Sequence, residues 1–213
     1  MSYYLTIMSR PDTPMPDRIM RRVRAKGRGW VFTPKHFVDF GTRGSVDMAL
    51  SRLAKAGLIR RIGRGLYDYP RQHAKLGALS PDADSIAAAL STQTGDKLAP
   101  SGAAAANRLG LSTQVPAKAS YATSGSTRTK RAAGRSLTLR HSRAPVINDA
   151  PDSANAIVQA LAYLGKDQID ANVIQRFARR IDDRDMKALL QARPLMSGWM
   201  GDVVLKIDAV RHG

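Results

Sequence analysis

The most constraining feature of this 213-residue sequence is an apolar helical repeat that stops at Gly57 and leads into a glycine-rich turn. Its apolar residues recur at helical spacing: Val46, Ala49, Leu50, Leu53 and Ala54. Gly57 is typical of a left-handed helix cap. Two short apolar runs then flank Gly63-Arg64-Gly65, which is the pattern of a β-hairpin. The segment predicts a helix followed by a hairpin with Arg64 at its tip.

Two shorter helices and a strand are predicted ahead of this segment. Asp17 is the expected cap of a first helix that ends at Gly27. That helix directs Ile19, Met20 and Val23 inward and carries Arg18, Arg21, Arg22 and Lys26 on its outer side. Trp30-Val31-Phe32 is a β-type run, and Thr33-Pro34 begins a second helix that stops at Gly41. Together these elements describe a winged helix-turn-helix over residues 16–70, after a flexible N-terminus at 1–15.

The outer face of the third helix indicates DNA binding. A helix in the major groove directs its first residues to base edges and its flanks to phosphates. The predicted DNA contacts are Thr33, Lys35, Thr42, Arg43, Ser45, Asp47, Met48, Ser51, Arg52, Lys55, Arg61 and Arg64. Arg43 and Arg52 are the main candidates to read bases or phosphates, and Arg64 suits the minor groove. Asp47 either accepts from cytosine N4 or pairs with Arg43.

The charge distribution supports a polyanionic partner. The chain has 34 Lys+Arg against 17 acids, a net charge of +17. Residues 1–71 carry +10, and residues 97–148 carry nine basic residues and no acid, whereas 149–213 is balanced. Such a field favours nucleic acid or an anionic membrane surface. The alternative for the first seventy residues is a winged helix used only for protein contacts.

The central basic stretch predicts a second, weaker anion surface. Residues 119–123 and 136–141 alternate as two strands, and a polar, basic connection spans 124–135. Its cations are Arg128, Lys130, Arg131 and Arg135. With the hydroxyls and glycines around them they could cradle the phosphates of DNA or of RNA. The alternative is a solvated loop of a basic protein.

The remaining segments predict a largely helical second domain with this small β element, over residues 71–213. Residues 70–80 are interpreted as a linker or a short bridging helix. Helices are expected over 81–94, where Pro81 is an early helical residue, and after Ser101. Helices follow again from Pro151 onward. Asp152 or Ser153 is expected to cap the first, Asp170 starts the next, and Asp182 opens a third with acids in its first turn. The predicted fold class is therefore α+β.

Neither an enzyme nor a bound cofactor is indicated. Cysteine is absent, and the four histidines have no metal-ligand spacing. No phosphate-binding glycine loop or nucleophile elbow occurs. Asp182, Asp183 and Asp185 are interpreted as helix-start residues rather than metal ligands. No signal peptide and no membrane-spanning apolar run is visible, so a cytoplasmic protein is expected.

Two stretches resemble a known family. The run from Phe40 to Tyr67, with Gly63-Arg64-Gly65-Leu66-Tyr67 at its end, and the run from Ala99 to Pro116 resemble the AbiEi antitoxins of bacterial type IV toxin–antitoxin (abortive infection) operons. The resemblance implies a winged helix that binds inverted repeats upstream of its own operon and represses it. It also implies a C-terminal antitoxin domain that counters a nucleotidyltransferase toxin, directly or indirectly. Such a repressor would be a monomer in solution or bind DNA cooperatively.

An alternative from another class stays open. The chain would then be a non-enzymatic RNA-binding or toxin-binding protein whose winged helix is a protein-interaction scaffold. Binding to upstream DNA distinguishes the two hypotheses.

Overall fold

The computed structural model describes residues 13–114, 118–148 and 150–212. About 53% of the chain is helix and 16% is strand, which confirms the mixed α+β class. The chain forms two compact units, with the division between Gln93 and Thr94. Most of the segment predicted as a flexible N-terminus, residues 1–12, lies outside the described residues.

The first helix, α1 (Met15–Lys26), begins earlier than the sequence predicts. Pro14 precedes it, and Asp17 lies inside its first turn without capping it. The predicted cap is therefore wrong, because the helix already starts at Met15, and Asp17 instead places a negative charge near the positive end of the helix dipole. The predicted inward residues are confirmed, since Ile19, Met20 and Val23 are buried.

The second predicted helix is a 3₁₀ helix, Pro34–Phe40, which follows the short strand β1 (Val31–Phe32). Thr33 caps it as predicted. The backbone at Phe37, with φ of −132°, breaks the helical path. Phe37 is fully buried, and its ring meets those of Phe32 and Trp30 edge-on.

The third predicted helix and the hairpin are confirmed. Helix α2 (Arg43–Lys55) buries Val46, Ala49, Leu50 and Leu53, and Gly57 beyond it has the left-handed φ of 71°. Strands β2 (Arg60–Gly63) and β3 (Leu66–Asp68) form the hairpin, and β1 pairs with β3 on its other side. The result is a three-stranded antiparallel sheet in the order β1-β3-β2.

Residues 70–80 form neither a plain linker nor a helix, so both interpretations are wrong. They form a second hairpin, β4 (Gln72–His73) and β5 (Gly77–Ala78). The tight connection is stabilised by Nδ1 of His73, which accepts from the backbone N–H groups of Lys75 and Leu76. Helix α3 (Ala83–Thr94) starts after Pro81, because the Asp82 carboxylate accepts from the N–H of Ser85 at 2.7 Å.

The second unit contains a four-stranded sheet in the order β6-β7-β9-β8. Its strands are β6 (Leu98–Pro100), β7 (Ser120–Thr123), β8 (Arg128–Ala132) and β9 (Arg135–His141). The two predicted strands are confirmed and pair in parallel. The connection predicted as a basic loop is instead mostly strand β8, which turns back at Ala133 and Gly134. Their φ values of 51° and 74° suit a two-residue hairpin turn.

Helices build the other half of this unit. They are α4 (Gly102–Arg108), α5 (Asp152–Leu164), α6 (Ala171–Ala178), α7 (Asp183–Ala192) and α8 (Gly198–His212). Helices α6 and α7 begin at the predicted positions, and the Asp170 and Asp182 side chains cap them. The predicted cap of α5 is wrong: Pro151 occupies that position, and the Ser153 hydroxyl instead donates to Asp185.

Candidate nucleic-acid interface

Helix α2 brings eight of the predicted DNA contacts together on its exposed side and at its N-terminus. The exposed members are Thr42, Arg43, Met48, Ser51, Arg52 and Lys55, and the half-buried ones are Ser45 and Asp47. The arrangement follows from the sequence, because the buried positions 46, 49, 50 and 53 occupy the opposite stripe of the helix. Met48 is the largest apolar group of this face, with 60% of its surface exposed.

Two of the residues predicted to contact DNA have opposite charges and pair with each other at the start of α2. Nε of Arg43 lies 3.0 and 2.9 Å from the two carboxylate oxygens of Asp47. The interpretation of Asp47 as a salt-bridge partner is therefore confirmed for the free chain. Beside it, the Thr42 hydroxyl accepts from the N–H of Ser45, and the Ser45 hydroxyl donates to the Thr42 carbonyl at 2.8 Å. These hydroxyls hold the first turn of the helix.

Thr33 does not lie where a ligand could reach it. It is fully buried, and its hydroxyl accepts from the N–H of Lys35 at 3.2 Å. Its own N–H donates to Nδ1 of His36 at 3.1 Å, which completes a capping box. Burial lowers the pKa of the His36 imidazole below its ordinary value. Thr33 therefore positions the exposed Lys35 and makes no outward contact itself.

Two arginines of α1 contact other residues of the first unit. The sequence predicts both of them on the outer side of that helix. Arg22 donates to both carboxylate oxygens of Asp39, at 2.8 and 2.6 Å, and its guanidinium lies 4.0 Å from the centre of the Phe40 ring. Arg18 lies 4.5 Å from the centre of the same ring. The hydrogen bonds from Arg22 hold the pKa of Asp39 below its usual range. These contacts tie the 3₁₀ helix, which ends just before α2, to α1.

The hairpin β2–β3 presents two further cations. Arg61 is exposed on β2, and Arg64 is exposed at the tip beside Gly65, whose φ of 66° is left-handed. The Arg64 carbonyl accepts from the Gln93 amide at 2.9 Å, which anchors the tip. Arg60 differs from its neighbour Arg61 in that its guanidinium is held internally.

Arg60 forms the internal anchor of this hairpin. It donates to both carboxylate oxygens of Asp68, at 3.0 and 2.6 Å, and to the Leu79 carbonyl. Asp68 is 1% exposed, so the carboxylate of this ion pair is shielded from solvent. The hydrogen bonds that Arg60 donates to Asp68 raise the pKa of Arg60, which keeps the guanidinium charged.

The four cations of the predicted secondary basic surface are not equivalent. Arg128 pairs with Asp96 and donates to the Ser126 carbonyl, so its charge is already compensated. Lys130 is half-buried, whereas Arg131 and Arg135 are exposed. The sequence analysis missed Arg140, which strand alternation from the buried Leu139 would have placed on the open side of β9.

The register of β8 and β9 gathers several of these side chains on one face. Arg131 pairs with Ser136 and Thr129 with Thr138, and Arg140 follows two residues after Thr138 on β9. Because paired residues and alternate residues share a face, these groups point to one side of the sheet. We call Thr129, Arg131, Ser136, Thr138 and Arg140 the β8–β9 face. The buried Leu137 and Leu139 lie on the other side.

The acidic residues at the start of α7 are engaged in protein contacts. The Asp182 carboxylate accepts from the N–H of Asp185 at 2.7 Å, Asp183 pairs with Arg211, and Asp185 accepts from Ser153. No set of three or more histidine and aspartate side chains suited to a metal occurs in the described ranges. Within those same ranges, no helix has the length and apolar character that a bilayer span requires.

The chain matches the model of a family of unknown function, DUF6088, over residues 18–189. The match covers most of the chain and includes parts of both compact units, so the protein belongs to this family. A search of curated proteins found no match.

Proposed function

We propose that this protein is a DNA-binding regulator whose first unit is a winged helix-turn-helix. In this proposal α2 is the recognition helix and the hairpin β2–β3 is the wing. The order of elements supports it: a helix, a short strand, a second helical segment, a helix and a hairpin, with the first strand paired to the hairpin. A helix of the length of α2 fits the major groove.

The main support for the proposal is a set of exposed basic side chains around α2 and the hairpin tip. Lys35, Arg52, Lys55, Arg61 and Arg64 are exposed. None of them forms an ion pair with another residue in the described part of the chain. Cations without internal partners are free to displace counterions from DNA phosphates, and this release supplies much of the affinity for DNA.

The first turns of α2 supply the proposed sequence selectivity. Arg43 would leave Asp47 to donate to guanine, and Asp47 would accept from cytosine N4. Met48 offers an apolar surface to a thymine methyl group. Arg64 at the wing tip would reach the adjacent minor groove, where its charge meets the phosphates on either side.

We further propose that the protein acts as an antitoxin of the AbiEi type, which represses its own operon at inverted repeats and counters a nucleotidyltransferase toxin. The resemblance of the two stretches to that family supports this step. The first stretch covers α2 and the hairpin β2–β3, and the second covers part of β6, α4 and the residues that follow. In this proposal the second unit opposes the toxin and performs no catalysis.

A second candidate function rests on the β8–β9 face. Its two exposed arginines, flanked by hydroxyls, suit a phosphate backbone that is not the operator. The first unit would then be a scaffold, and RNA or the toxin would be the partner. This candidate predicts equal, weak affinity for operator and unrelated duplexes.

The experiment that tests the primary proposal is a fluorescence-anisotropy titration of the full chain with its own upstream DNA and with a scrambled duplex. The variant Arg52→Gln is compared with Arg24→Gln, an exposed α1 arginine outside the proposed contacts. We expect Arg52→Gln to weaken operator binding roughly tenfold, since a phosphate or base contact contributes about 1–3 kcal/mol. Equal effects of the two variants would contradict the proposed role of the α2 face.

A further inference from the structure

A cavity of about 560 Å³ lies between α2, the hairpin β2–β3 and the hairpin β4–β5. Its lining includes Ser51, Lys55, Arg60, Arg61 and Tyr67. The second hairpin, which contributes Gln72 and Ala78, forms one of its walls. A cavity of this size can hold a ligand larger than a free phosphate ion.

The lining of the cavity is positively charged. Lys55 and Arg61 contribute two cations that lack an ion-pair partner in the described part of the chain, and no aspartate is among the lining residues. Arg60 contributes a third cation, whose guanidinium is neutralised by Asp68. The electrostatic field in the cavity therefore favours an anion.

Hydroxyl groups complete a donor set beside these cations. Ser51 lies one helical turn before Lys55 on the same stripe of α2. Tyr67 is only 7% exposed and lines the cavity, yet within the described residues no hydrogen bond engages its side chain. Among the described residues the Tyr67 hydroxyl is not one of the buried polar atoms that lack a partner, so it is accessible and can donate to a ligand in the cavity.

We infer that this cavity binds a nucleotide phosphate, with Lys55 and Arg61 as the charge partners and the Ser51 and Tyr67 hydroxyls as donors. Phosphate oxygens accept several charge-assisted hydrogen bonds at once, which matches this mixed donor set. The phosphate can come from the DNA backbone, which in the proposed complex passes between the recognition helix and the wing, or from a free nucleotide. Binding of a DNA phosphate rests on the proposed function, whereas binding of a free nucleotide does not.

The test uses Tyr67→Phe, which removes one hydroxyl and keeps the ring that stacks 6.2 Å from Phe32. Calorimetric titration of the full chain with adenosine monophosphate and anisotropy titration with operator and scrambled duplexes are run in parallel. Arg24→Gln serves as the control, because Arg24 is exposed on α1, lies outside the proposed DNA contacts and does not line the cavity. Unchanged melting temperatures establish that the variants are folded.

Loss of about tenfold in one of the two titrations supports the site, because a hydrogen bond to a charged phosphate oxygen is removed. A loss for both duplexes alike, without nucleotide binding, identifies the DNA backbone as the source. A loss of nucleotide binding identifies a free nucleotide as the source of the phosphate. The calorimetric titration therefore tests the site even if the chain binds no DNA. Tyr67→Phe, Lys55→Gln and Arg61→Gln proteins that match the wild type in both titrations would overturn the inference.

Discussion

Arg43 and Asp47 lie one turn apart at the start of α2, and Nε of Arg43 is 3.0 and 2.9 Å from the two carboxylate oxygens. Both side chains are about half exposed, so the pair contributes only about 0.3–0.5 kcal/mol to stability. A bidentate contact of arginine with guanine contributes about 1–3 kcal/mol of discrimination. The proposed complex can therefore open this salt bridge at small cost and gain sequence selectivity.

Substituting either member of the pair is expected to separate selectivity from affinity. Arg43→Ala should reduce the ratio of operator to scrambled affinity by roughly 5- to 100-fold, because the guanine contact is lost. Asp47→Ala should raise affinity for scrambled DNA, because it removes a negative charge from the face and frees Arg43. Anisotropy titrations on both duplexes measure the two ratios. An Arg43→Ala protein that keeps the wild-type ratio would exclude Arg43 as a base reader.

Removing the wing-tip cation is expected to have a different signature. Arg64→Ala should weaken binding to operator and scrambled duplexes by similar factors, because the contact is to the phosphates beside the minor groove. The slope of log affinity against log salt should decrease in magnitude by about 1. Titrations at several salt concentrations give that slope. Arg24→Gln is the matched control, and an Arg64→Ala slope equal to the control slope would contradict the proposed contact.

The capping box around the buried Thr33 makes the stability of the first unit depend on pH. Burial lowers the pKa of His36 below 6.5, so the unfolded chain takes up the proton at a higher pH than the folded chain. The stability that the neutral His36 side chain contributes is fully present above about pH 6.5. It is lost as the pH falls through the lower pKa that His36 has in the folded chain. Thermal melts between about pH 7.5 and about pH 5 measure the loss.

The variant His36→Gln keeps a side-chain acceptor for the Thr33 N–H but cannot titrate. We expect its melting temperature to fall less than that of the wild type over this pH range. A wild-type and a variant curve with the same slope would show that His36 does not cause the pH dependence.

The sequence predicts well those elements whose signals are local. The α2 repeat, the Gly57 cap and the glycine turn around Arg64 all appear where the pattern places them, since periodicity and turn chemistry act over a few residues. Residues 72–78 were missed, because a two-residue strand carries no period and its turn depends on the His73 ring.

Two of the predicted site residues are engaged inside the fold in ways that the sequence does not show. Thr33 looks like a surface hydroxyl in sequence, but it is fully buried in the fold and its hydroxyl caps the 3₁₀ helix. Arg128 looks like a free cation until the fold brings it to Asp96, which lies 32 residues earlier. Partners at such a distance leave no periodic signal in the sequence.

The packing of α4 against α5 predicts a specific intolerance at Gly102. A Cβ added there would lie 2.5 Å from Cβ of Tyr163 and 2.9 Å from the Gln159 carbonyl, so the helices must separate. We expect Gly102→Ala to lower the free energy of unfolding by about 1–3 kcal/mol. Gly198→Ala in α8 meets nothing within 4 Å and should be neutral or stabilising by up to about 1 kcal/mol. Denaturant melts of both variants provide the comparison, and equal effects would contradict the packing argument.

The β8–β9 face predicts how the second unit responds to charge removal. Arg131→Gln with Arg140→Gln should weaken binding to operator and scrambled DNA alike or leave both unchanged, with unchanged stability, because both arginines are exposed. Arg128→Gln should instead destabilise the unit, since the half-buried ion pair between Arg128 and Asp96 is lost. Melting temperatures and titrations of the two proteins distinguish these effects. A double variant that loses only operator selectivity would contradict a backbone contact.

The central claim is that the first unit reads a specific duplex sequence. The most direct measurement is the affinity of the wild-type chain for its own upstream DNA and for a scrambled duplex of equal length, each at about 50 and about 200 mM salt. We expect the upstream DNA to bind at least about 10³-fold more tightly and both affinities to fall as salt rises. Equal affinity for the two duplexes at both salt concentrations would contradict the central claim.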